Sequence, residues 1–349
     1  MTNDKGILVS NIYYMLSYAY QALNQDTYRD IDAECFDNVL DLLAAILAKG
    51  ITQQLKQGLS REYVENKDTL EILKGKICIK ESMPYIMRDE RRLTCCYDEY
   101  SANHQMNQIL KTAAWFLICH GDVKPDNRDA LKKAYMLFLS EIDVLQPSEI
   151  NWRSLNYHRN NATYKMLMNI CYFVIHDMLL TTRDGKHRLA KYFNDRQMSD
   201  LYEKFILEYY KKHHPDYKPE AKQIRWDVEG DTVHLPNMLS DIVLTKDRGS
   251  RKLIIDAKYY RTIMQSQYET EKFRSGHLYQ MFAYVKNEDK DQTGLVDGVL
   301  LYAKTEEEAP PAKDYVISGN RIGVRVLDLN KSFRRISEQL DRIAEEWAH

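Results

Sequence analysis

The chain has 349 residues, of which 44% are hydrophobic, and a formal net charge of -2 at pH 7. This length is sufficient for two domains, each with its own hydrophobic core. The sequence contains no run of ~18 uninterrupted apolar residues, which excludes an ordinary membrane-spanning helix. The near-neutral charge excludes a general polycation, so any affinity for DNA must come from local basic patches or from a partner.

The cysteines and the first residues indicate the compartment. None of the six cysteines shows Cys-x-x-Cys spacing: Cys35, Cys78, Cys95, Cys96, Cys119 and Cys171. This predicts reduced thiols in a cytosol rather than a disulfide framework or a zinc site. The first residues are polar, and no positive segment precedes an apolar core, so we expect no secretory signal and a cytoplasmic protein.

The first half of the chain has the pattern of a mixed helical and small-β domain. Helical patterns are followed by short strands and then by further helices, at 11–23, 35–57, between 62 and 97, at 103–120 and at 128–140. Tyrosines at helical spacing in the first of these helices are expected in a core or an interface. The segment 146–161 contains Pro147 and is the best linker candidate. The predicted domains are therefore 1–160 and 161–349.

The second half has the pattern of a mixed sheet flanked by helices. In chain order it shows a helix at 164–180, a helix at 199–212, strands at 238–244 and 252–258, a helix around Gln280, strands at 296–302 and 321–327, and a closing helix from Lys331. This order of elements, a helix followed by strands, another helix and a strand, is expected for a mixed sheet with helices on its faces. The predicted fold class of the whole chain is α/β (α+β).

Two acids and a lysine stand on the central strand pair. Asp241 lies on the first strand, and Asp256 and Lys258 lie at the end of the second. Residues two apart on a strand project from the same face, so Asp256 and Lys258 should point together. Carboxylates hold Mg²⁺, which neutralises a phosphate and activates water, and an ammonium stabilises the developing charge. The alternative interpretation is a surface ion pair at a strand end.

This arrangement resembles the PD-(D/E)xK nuclease superfamily, with Ser240 at the position of its usual proline. The resemblance implies Asp241 and Asp256 as metal ligands and Lys258 as a catalytic group. Glu208, on the helix at 199–212, corresponds to the additional acid of many such nucleases, although it also fits a solvated helix face. Gln280 and Tyr284 resemble the Gln-x-x-x-Tyr element of the RecB-like branch, although Gln280 also fits a helix residue bonded to backbone.

Five runs of residues are distinctive: NIYYMLSYAY at 11–20, LKGKI at 73–77, YDEY at 97–100, NQILK at 107–111 and IDAKYY at 255–260. Through these runs nearly the whole chain resembles the McrC family, the nuclease subunit of McrBC-type, 5-methylcytosine-specific restriction systems. The pairs Gly75-Lys76 and Gly185-Lys186 lack the rest of a Walker A loop, so the chain carries no P-loop motor. The resemblance implies a separate McrB-like AAA+ GTPase hexamer, which the domain 1–160 docks onto and stimulates.

Two basic patches are candidates for binding. Arg261, Lys272 and Arg274 follow the strand pair and are predicted to contact DNA, although a solvated loop face explains each of them equally well. Arg88, Arg91 and Arg92 stand between two strand-like segments. They form a candidate hairpin for contact with the AAA+ partner, or no more than a charged hairpin tip.

The predicted function is a Mg²⁺-dependent DNA endonuclease subunit of a GTP-driven, modification-dependent restriction complex. Two alternatives stay open. One is an adaptor that activates the AAA+ ring and has a weak or silent nuclease. The other is a stand-alone RecB-like nuclease.

Overall fold

The computed structural model describes residues 3–4, 7–20, 23, 28, 31–32, 36, 38–137, 141–158, 161–183, 195–246, 249–259, 264–267, 270–304 and 312–348. Up to residue 183 the elements are β1 (Asn3–Asp4), β2 (Ile7–Leu8), α1 (Val9–Ala19), α2 (Val39–Gln57), β3 (Glu62–Leu70), β4 (Lys76–Ile77), α3 (Ile79–Met87), β5 (Leu93–Ser101), α4 (Gln105–Cys119), α5 (Pro125–Leu137) and α6 (Ala162–Arg183). Beyond it they are α7 (Asp195–His213), β6 (Glu220–Ile224), β7 (Met238–Lys246), β8 (Arg251–Lys258), β9 (Met264–Gln267), β10 (Thr270–Phe273), α8 (Ser275–Glu288), β11 (Val296–Lys304), β12 (Lys313–Ile317), β13 (Asn320–Asp328) and α9 (Phe333–Ala348).

The chain forms two compact units that do not follow the predicted boundary near residue 160. The discontinuous unit comprises Met1–Leu42 and Leu180–His349, and the continuous unit is Leu43–Leu179. The predicted linker at 146–161 therefore lies inside the continuous unit, where it forms short 3-10 turns. Both unit boundaries fall within long helices, α2 and α6, which is why linker composition did not mark them.

Helix α1 belongs to the discontinuous unit because its side chains pack on α7 and on the start of α9. The ring of Tyr14 stacks on Phe333 with centroids 4.4 Å apart. The hydroxyl of Tyr18 lies 2.8 Å from Nε2 of His213. The buried Asn11 donates hydrogen bonds to the backbone oxygen atoms that precede α9. The tyrosine-rich opening helix thus packs against helices from the second half of the chain.

The discontinuous unit is organised around a six-stranded mixed sheet, as the fold prediction required. Its strand order is β12-β13-β11-β8-β7-β6. Strands β8, β11 and β13 are parallel, and the other pairs are antiparallel. The interior of β8 is almost wholly buried because both faces of the sheet are covered. Helix α8 covers one face, and α9 contacts the other face near Leu253 and Val299.

The continuous unit combines helices with a three-stranded sheet of order β3-β5-β4. Helix α4 supplies a core of fully buried side chains, among them Ile109, Leu110 and Leu117. Helix α3 occupies a region where the sequence predicted only strands. Its apolar residues recur at spacings of four and three, which is the helical period rather than the strand period of two.

Two further expectations are corrected in this unit. Arg88 ends α3 and Asp89 adopts a positive φ, so the segment 88–92 joins a helix to β5 and is no β-hairpin. Cys78 and Cys96 form a disulfide with Cα atoms 6.5 Å apart, contrary to the prediction of reduced thiols. The pairing of β4 with β5 brings these cysteines together, and sequence spacing alone does not reveal such a pairing. Cys95, Cys119 and Cys171 are free thiols.

No helix within the described ranges is both long enough and apolar enough to cross a membrane.

Candidate active site

The two predicted acids meet where β7 and β8 pair. Ile242 and Ile255 are opposite each other in this antiparallel pair, which brings the neighbouring Asp241 and Asp256 to one end of it. The backbone N–H of Ala257 donates a 2.8 Å hydrogen bond to Oδ2 of Asp241. The predicted hairpin therefore places the carboxylates together as expected. We call this region, with Lys258, the catalytic end of the sheet, after the role that we propose for it below.

Lys258 neutralises part of the charge at the catalytic end. Its Nζ lies 2.8 Å from Oδ2 of Asp256, whose side chain is only 1% exposed. Within the described part of the chain, no other donor makes a hydrogen bond to that buried oxygen. The ion pair is therefore buried rather than on the surface, contrary to the alternative interpretation of these residues. One carboxylate oxygen keeps coordination capacity beyond its contact with the ammonium.

Burial sets the protonation of the two carboxylates. It raises the pKa of Asp241 to about 8, and the negative charges of Asp256 and Glu203 add to the effect. Burial also raises the pKa of Asp256, while the ammonium of Lys258 acts in the opposite direction. A buried and a partly buried carboxylate that repel one another form the environment that a bound cation would relieve.

The acid of α7 that lies near the catalytic end is Glu203. Its pKa is raised, chiefly by burial, and it interacts electrostatically with both Asp256 and Lys258. The hydroxyl of Ser199, one turn earlier, donates a 2.9 Å hydrogen bond to Oε1 of Glu203. Sequence reasoning missed this residue.

Glu208, the acid that was predicted, is not brought to the carboxylates. It forms a 2.8 Å ion pair with Lys211 on its own helix. Five residues separate Glu203 from Glu208, which turns them about 140° apart around the helix axis. Only the packing of α7 on the strands decides which of these two faces meets the site.

Gln280 reaches the catalytic end from α8 and explains the spacing of the Gln-x-x-x-Tyr element. Nζ of Lys258 donates to Oε1 of Gln280 at 3.1 Å, and Nε2 of Gln280 donates to the hydroxyl of Tyr284 at 2.8 Å. That hydroxyl in turn donates to the backbone oxygen of Leu239 on β7 at 3.0 Å. Both ends of the Gln280 amide therefore bond side chains rather than backbone.

The predicted DNA patch is described only in part. Arg261 lies outside the described residues, as does the side chain of Lys272, whose backbone belongs to β10. Arg274 stands at the N-terminus of α8, and its charge helps to lower the pKa of the nearby His277. This places Arg274 beside the catalytic end, while DNA contact by all three residues stays a prediction.

The predicted partner patch lies in the continuous unit, at the end of α3. The side chains of Arg88 and Arg92 are largely exposed and form long contacts with Glu90 and Glu71, and Arg91 is exposed. A more unusual feature of this region is a group of exposed apolar side chains. Four exposed side chains follow one face of α3, which we call the α3 face: Ile79, Met83, Ile86 and Met87.

Asp241 and Asp256 are the carboxylates at the catalytic end that could hold a metal ion. Among the residues described, no group of three or more His, Cys, Asp or Glu is arranged to hold a metal ion. Mg²⁺ usually takes only one or two carboxylates from a protein and keeps several waters. The paired carboxylates and the buried oxygen of Asp256 therefore fit this ion.

A family model described as McrBC 5-methylcytosine restriction system component matches residues 2–303. A curated relative from Escherichia coli (strain K12), the type IV methyl-directed restriction enzyme EcoKMcrBC, is 28% identical over 347 residues, which is 98% of each protein.

The fold is also similar to that of a solved structure. It is the refined half-complex from a tetradecameric assembly of Thermococcus gammatolerans McrB AAA+ hexamers with bound McrC. The similarity covers 97% of this chain and 75% of the matched chain, with a TM-score of 0.52 and 15% sequence identity. At that identity the match concerns the fold alone.

Proposed function

The chain belongs to the family of McrBC 5-methylcytosine restriction system components, and on that premise we propose that it is the DNA-cleaving subunit of such a system. The observation that carries the proposal is the catalytic end of the sheet. There Asp241, Asp256 and Lys258 converge from two adjacent strands, and Gln280 contacts the lysine from α8. The reaction is Mg²⁺-dependent hydrolysis of a DNA phosphodiester.

Asp241 and Asp256 would hold the metal, with Asp241 oriented by the N–H of Ala257. When bound there, Mg²⁺ supplies charge neutralisation at the phosphate and makes water more acidic. Lys258 is oriented by Asp256 on one side and by Gln280 on the other. Its ammonium would orient the attacking water or stabilise the charge that develops on the phosphate.

Glu203 takes the role that the sequence pattern assigned to Glu208. Its carboxylate is held by Ser199 and adds negative charge next to the metal ligands. We assign it to the outer shell of the site, because no group of three acids among the described residues is arranged for direct ligation. A group in this position binds water and orients the inner ligands.

The partner in this proposal is an McrB-like AAA+ GTPase hexamer, together with DNA. The T. gammatolerans structure contains McrB AAA+ hexamers with bound McrC, and this chain has no Walker A loop of its own. The α3 face supports docking by the continuous unit, because exposed apolar side chains in a cluster are typical of protein interfaces. Arg88, Arg91 and Arg92 border this face and would contribute at its rim.

The α3 face also supports a second candidate function, an adaptor that assembles and activates the ring with little cleavage of its own. The adaptor and the nuclease differ in whether the complete complex cuts DNA. A stand-alone RecB-like nuclease differs from both, because it would cut without a partner.

The test is cleavage of methylated and unmethylated plasmid with Mg²⁺, by the chain alone and with its GTPase partner and GTP. Asp256→Ala should lower the rate at least about a hundredfold, because loss of the carboxylate removes metal binding and the orientation of Lys258. Ring binding and stimulation of GTP hydrolysis should remain. Asp297→Asn is the matched control, because Asp297 is a buried aspartate on the neighbouring strand that pairs with Arg251 and Arg321 instead.

Each outcome selects one function. Cutting only in the complete wild-type reaction supports the nuclease subunit. Stimulated GTP hydrolysis without cutting favours the adaptor, and cutting by the chain alone favours the stand-alone nuclease. Full activity of the Asp256→Ala variant would refute the site assignment.

A further inference from the structure

Helix α8 is joined to three neighbouring strands by hydrogen bonds on the face that meets the catalytic end. The helix positions involved are three and four residues apart and therefore share one face. The bonds join His277 to Tyr302 of β11 at 2.8 Å, Gln280 to Lys258 of β8 at 3.1 Å, and Tyr284 to the backbone oxygen of Leu239 on β7 at 3.0 Å. The proposed mechanism uses the second bond directly, and the first has no role in it.

The bond of His277 to Tyr302 and the bond of Gln280 to Lys258 lie next to each other, both on the helix and on the sheet. Tyr302 and Lys258 are Cα partners in the parallel pairing of β11 with β8, so their side chains leave the sheet side by side. His277 and Gln280 are one helical turn apart on α8. Tyr302 is fully buried, and its ring centroid is 5.8 Å from that of His277. Any movement of the helix at His277 is thus a movement of Gln280 over Lys258.

The helix lies so close to β11 that it has little freedom to adjust. A Cβ atom added at Gly298 would lie 2.5 Å from Sδ of Met281 and 2.9 Å from Cγ2 of Val285. Both side chains belong to α8, so glycine at this point of β11 permits the close approach. The distance between α8 and the sheet is therefore set by its packing on β11. His277 is bonded to the same strand.

The charge state of His277 suits a positioning role. Burial and the charges of Lys258 and Arg274 lower its pKa to about 4. The imidazole is neutral at neutral pH, so it holds its hydrogen bond to Tyr302 without placing a third cation beside Lys258 and Arg274.

We propose that His277, anchored by Tyr302, is a positioning residue that holds the carbonyl of Gln280 on the ammonium of Lys258. This inference rests on the proposed nuclease function, in which Lys258 must be oriented toward the phosphate. It assigns His277 no contact with the reacting atoms. The effect on the reaction passes through Gln280 and Lys258.

The test compares four single variants, their control and one double variant in the complete reaction. His277→Asn retains a polar atom near the place of Nδ1, whereas His277→Gln retains one near the place of Nε2. His277→Ala removes both, and Tyr302→Phe removes only the hydroxyl. Lys286→Met is the control, because Lys286 lies on the same helix but bonds Asn320 and the backbone of Ser318, away from the catalytic end.

His277→Ala and Tyr302→Phe should each lower kcat about tenfold and leave KM within about twofold, a loss typical of outer-shell groups. His277→Asn should keep more than half of kcat, and His277→Gln should behave like His277→Ala. The double variant His277→Ala with Tyr302→Phe should be no slower than either single one, because paired groups act as a unit. Lys286→Met should stay near wild type.

A second readout does not depend on cleavage. The rate at which an amine-reactive ester modifies Lys258 in the isolated protein, measured by peptide mass spectrometry against the exposed Lys290, reports how firmly the ammonium is held. It should rise about threefold in His277→Ala and in Tyr302→Phe, and stay unchanged in His277→Asn, as expected when an outer-shell support is lost.

Unchanged kcat and labelling in folded His277→Ala would overturn the proposal. Additive losses in the double variant, or rescue by glutamine rather than asparagine, would overturn it as well. If the wild-type complex does not cut DNA, the nuclease proposal fails by itself. The labelling of Lys258 then still decides whether His277 positions the lysine.

Discussion

The catalytic end and the α3 face depart from ordinary burial in opposite ways. At the catalytic end the side chain of Asp256 is 1% exposed, beside the partly buried Asp241. On the α3 face, Ile79 is 70% and Met87 is 80% exposed. Charges are usually exposed and large apolar side chains are usually buried. The buried carboxylate costs stability in the isolated chain, whereas the exposed apolar side chains contribute none. We infer that each departure favours binding, of a cation in one case and of a protein in the other.

The two regions also differ in how they are held. The acids stand on paired strands within a six-stranded sheet covered on both faces, so their geometry is rigid. Helix α3 is short and is held by one disulfide and by Ser82, whose side chain bonds the backbone of Cys78 and Thr94. A catalytic site needs its groups placed to within a fraction of an ångström, whereas an apolar docking face needs mainly exposed area.

The largest effect after loss of a metal ligand should come from the outer acid. Glu203→Gln should lower cleavage by about tenfold to a hundredfold, because it removes charge beside Asp241 and Asp256. Glu208→Gln, on the same helix, should change the rate by less than about twofold, because Glu208 pairs with the exposed Lys211. Plasmid cleavage with saturating Mg²⁺ measures both. A larger loss in the Glu208 variant would reverse the assignment.

The α3 face should show its effect in binding rather than in cleavage chemistry. Met83→Glu should weaken binding to the AAA+ partner roughly tenfold or more, because it places a charge within an apolar contact. Arg91→Ala should weaken binding by less than about threefold, as expected for a rim residue. Titration of the partner with labelled chain measures both values. If the arginine variant loses more affinity than the methionine variant, docking depends on the basic segment instead of the apolar face.

The smallest expected effect is on the pH dependence of thermal stability in the absence of metal. Burial raises the pKa of Asp241 to about 8 from its ordinary 3.8, so the unfolded carboxyl ionises first as pH rises. The favourable contribution of this group is complete below about pH 4 and is lost as pH rises through about 8. Asp241→Asn should therefore melt at least about 3 °C higher than wild type at pH 8, with a smaller difference at pH 5.

Thermal unfolding in a chelator tests this expectation, and Mg²⁺ at pH 8 should raise the melting temperature of wild type but not of Asp241→Asn. An equal difference between the two proteins at pH 5 and pH 8 would show that Asp241 does not titrate in this range. Charge at the catalytic end would then not destabilise the fold.

Some features of the site were predictable because they are local. Residues two apart on β8 share a face, so Asp256 and Lys258 were expected together, and a short polar turn implied the pairing that brings Asp241 to them. Gln280 and Tyr284 are one helical turn apart, and the structure joins their side chains directly. Each of these relations spans one element or two neighbouring ones.

Other features could not be predicted because they depend on how distant elements pack. Spacing along α7 places Glu203 and Glu208 on different faces but does not tell which face meets the strands. The disulfide between Cys78 and Cys96 follows from the pairing of β4 with β5 and from the start of α3. The apolar residues of the α3 face recur at the helical period, and the prediction of strands in this region overlooked that pattern.

The sequence by itself determined the main helices and the central strands of the second half, because these follow from periodicity within single elements. Matching runs of residues indicated the family, which the family model confirms, while the donor set of Asp241 and Asp256 stays a prediction from residue types. Tertiary structure decided that α1 packs with the second half, that Glu203 is the acid near the site, and that His277 is bonded beside Lys258. Such contacts join residues far apart in sequence. They form only where burial of apolar surface brings whole faces of helices and strands together.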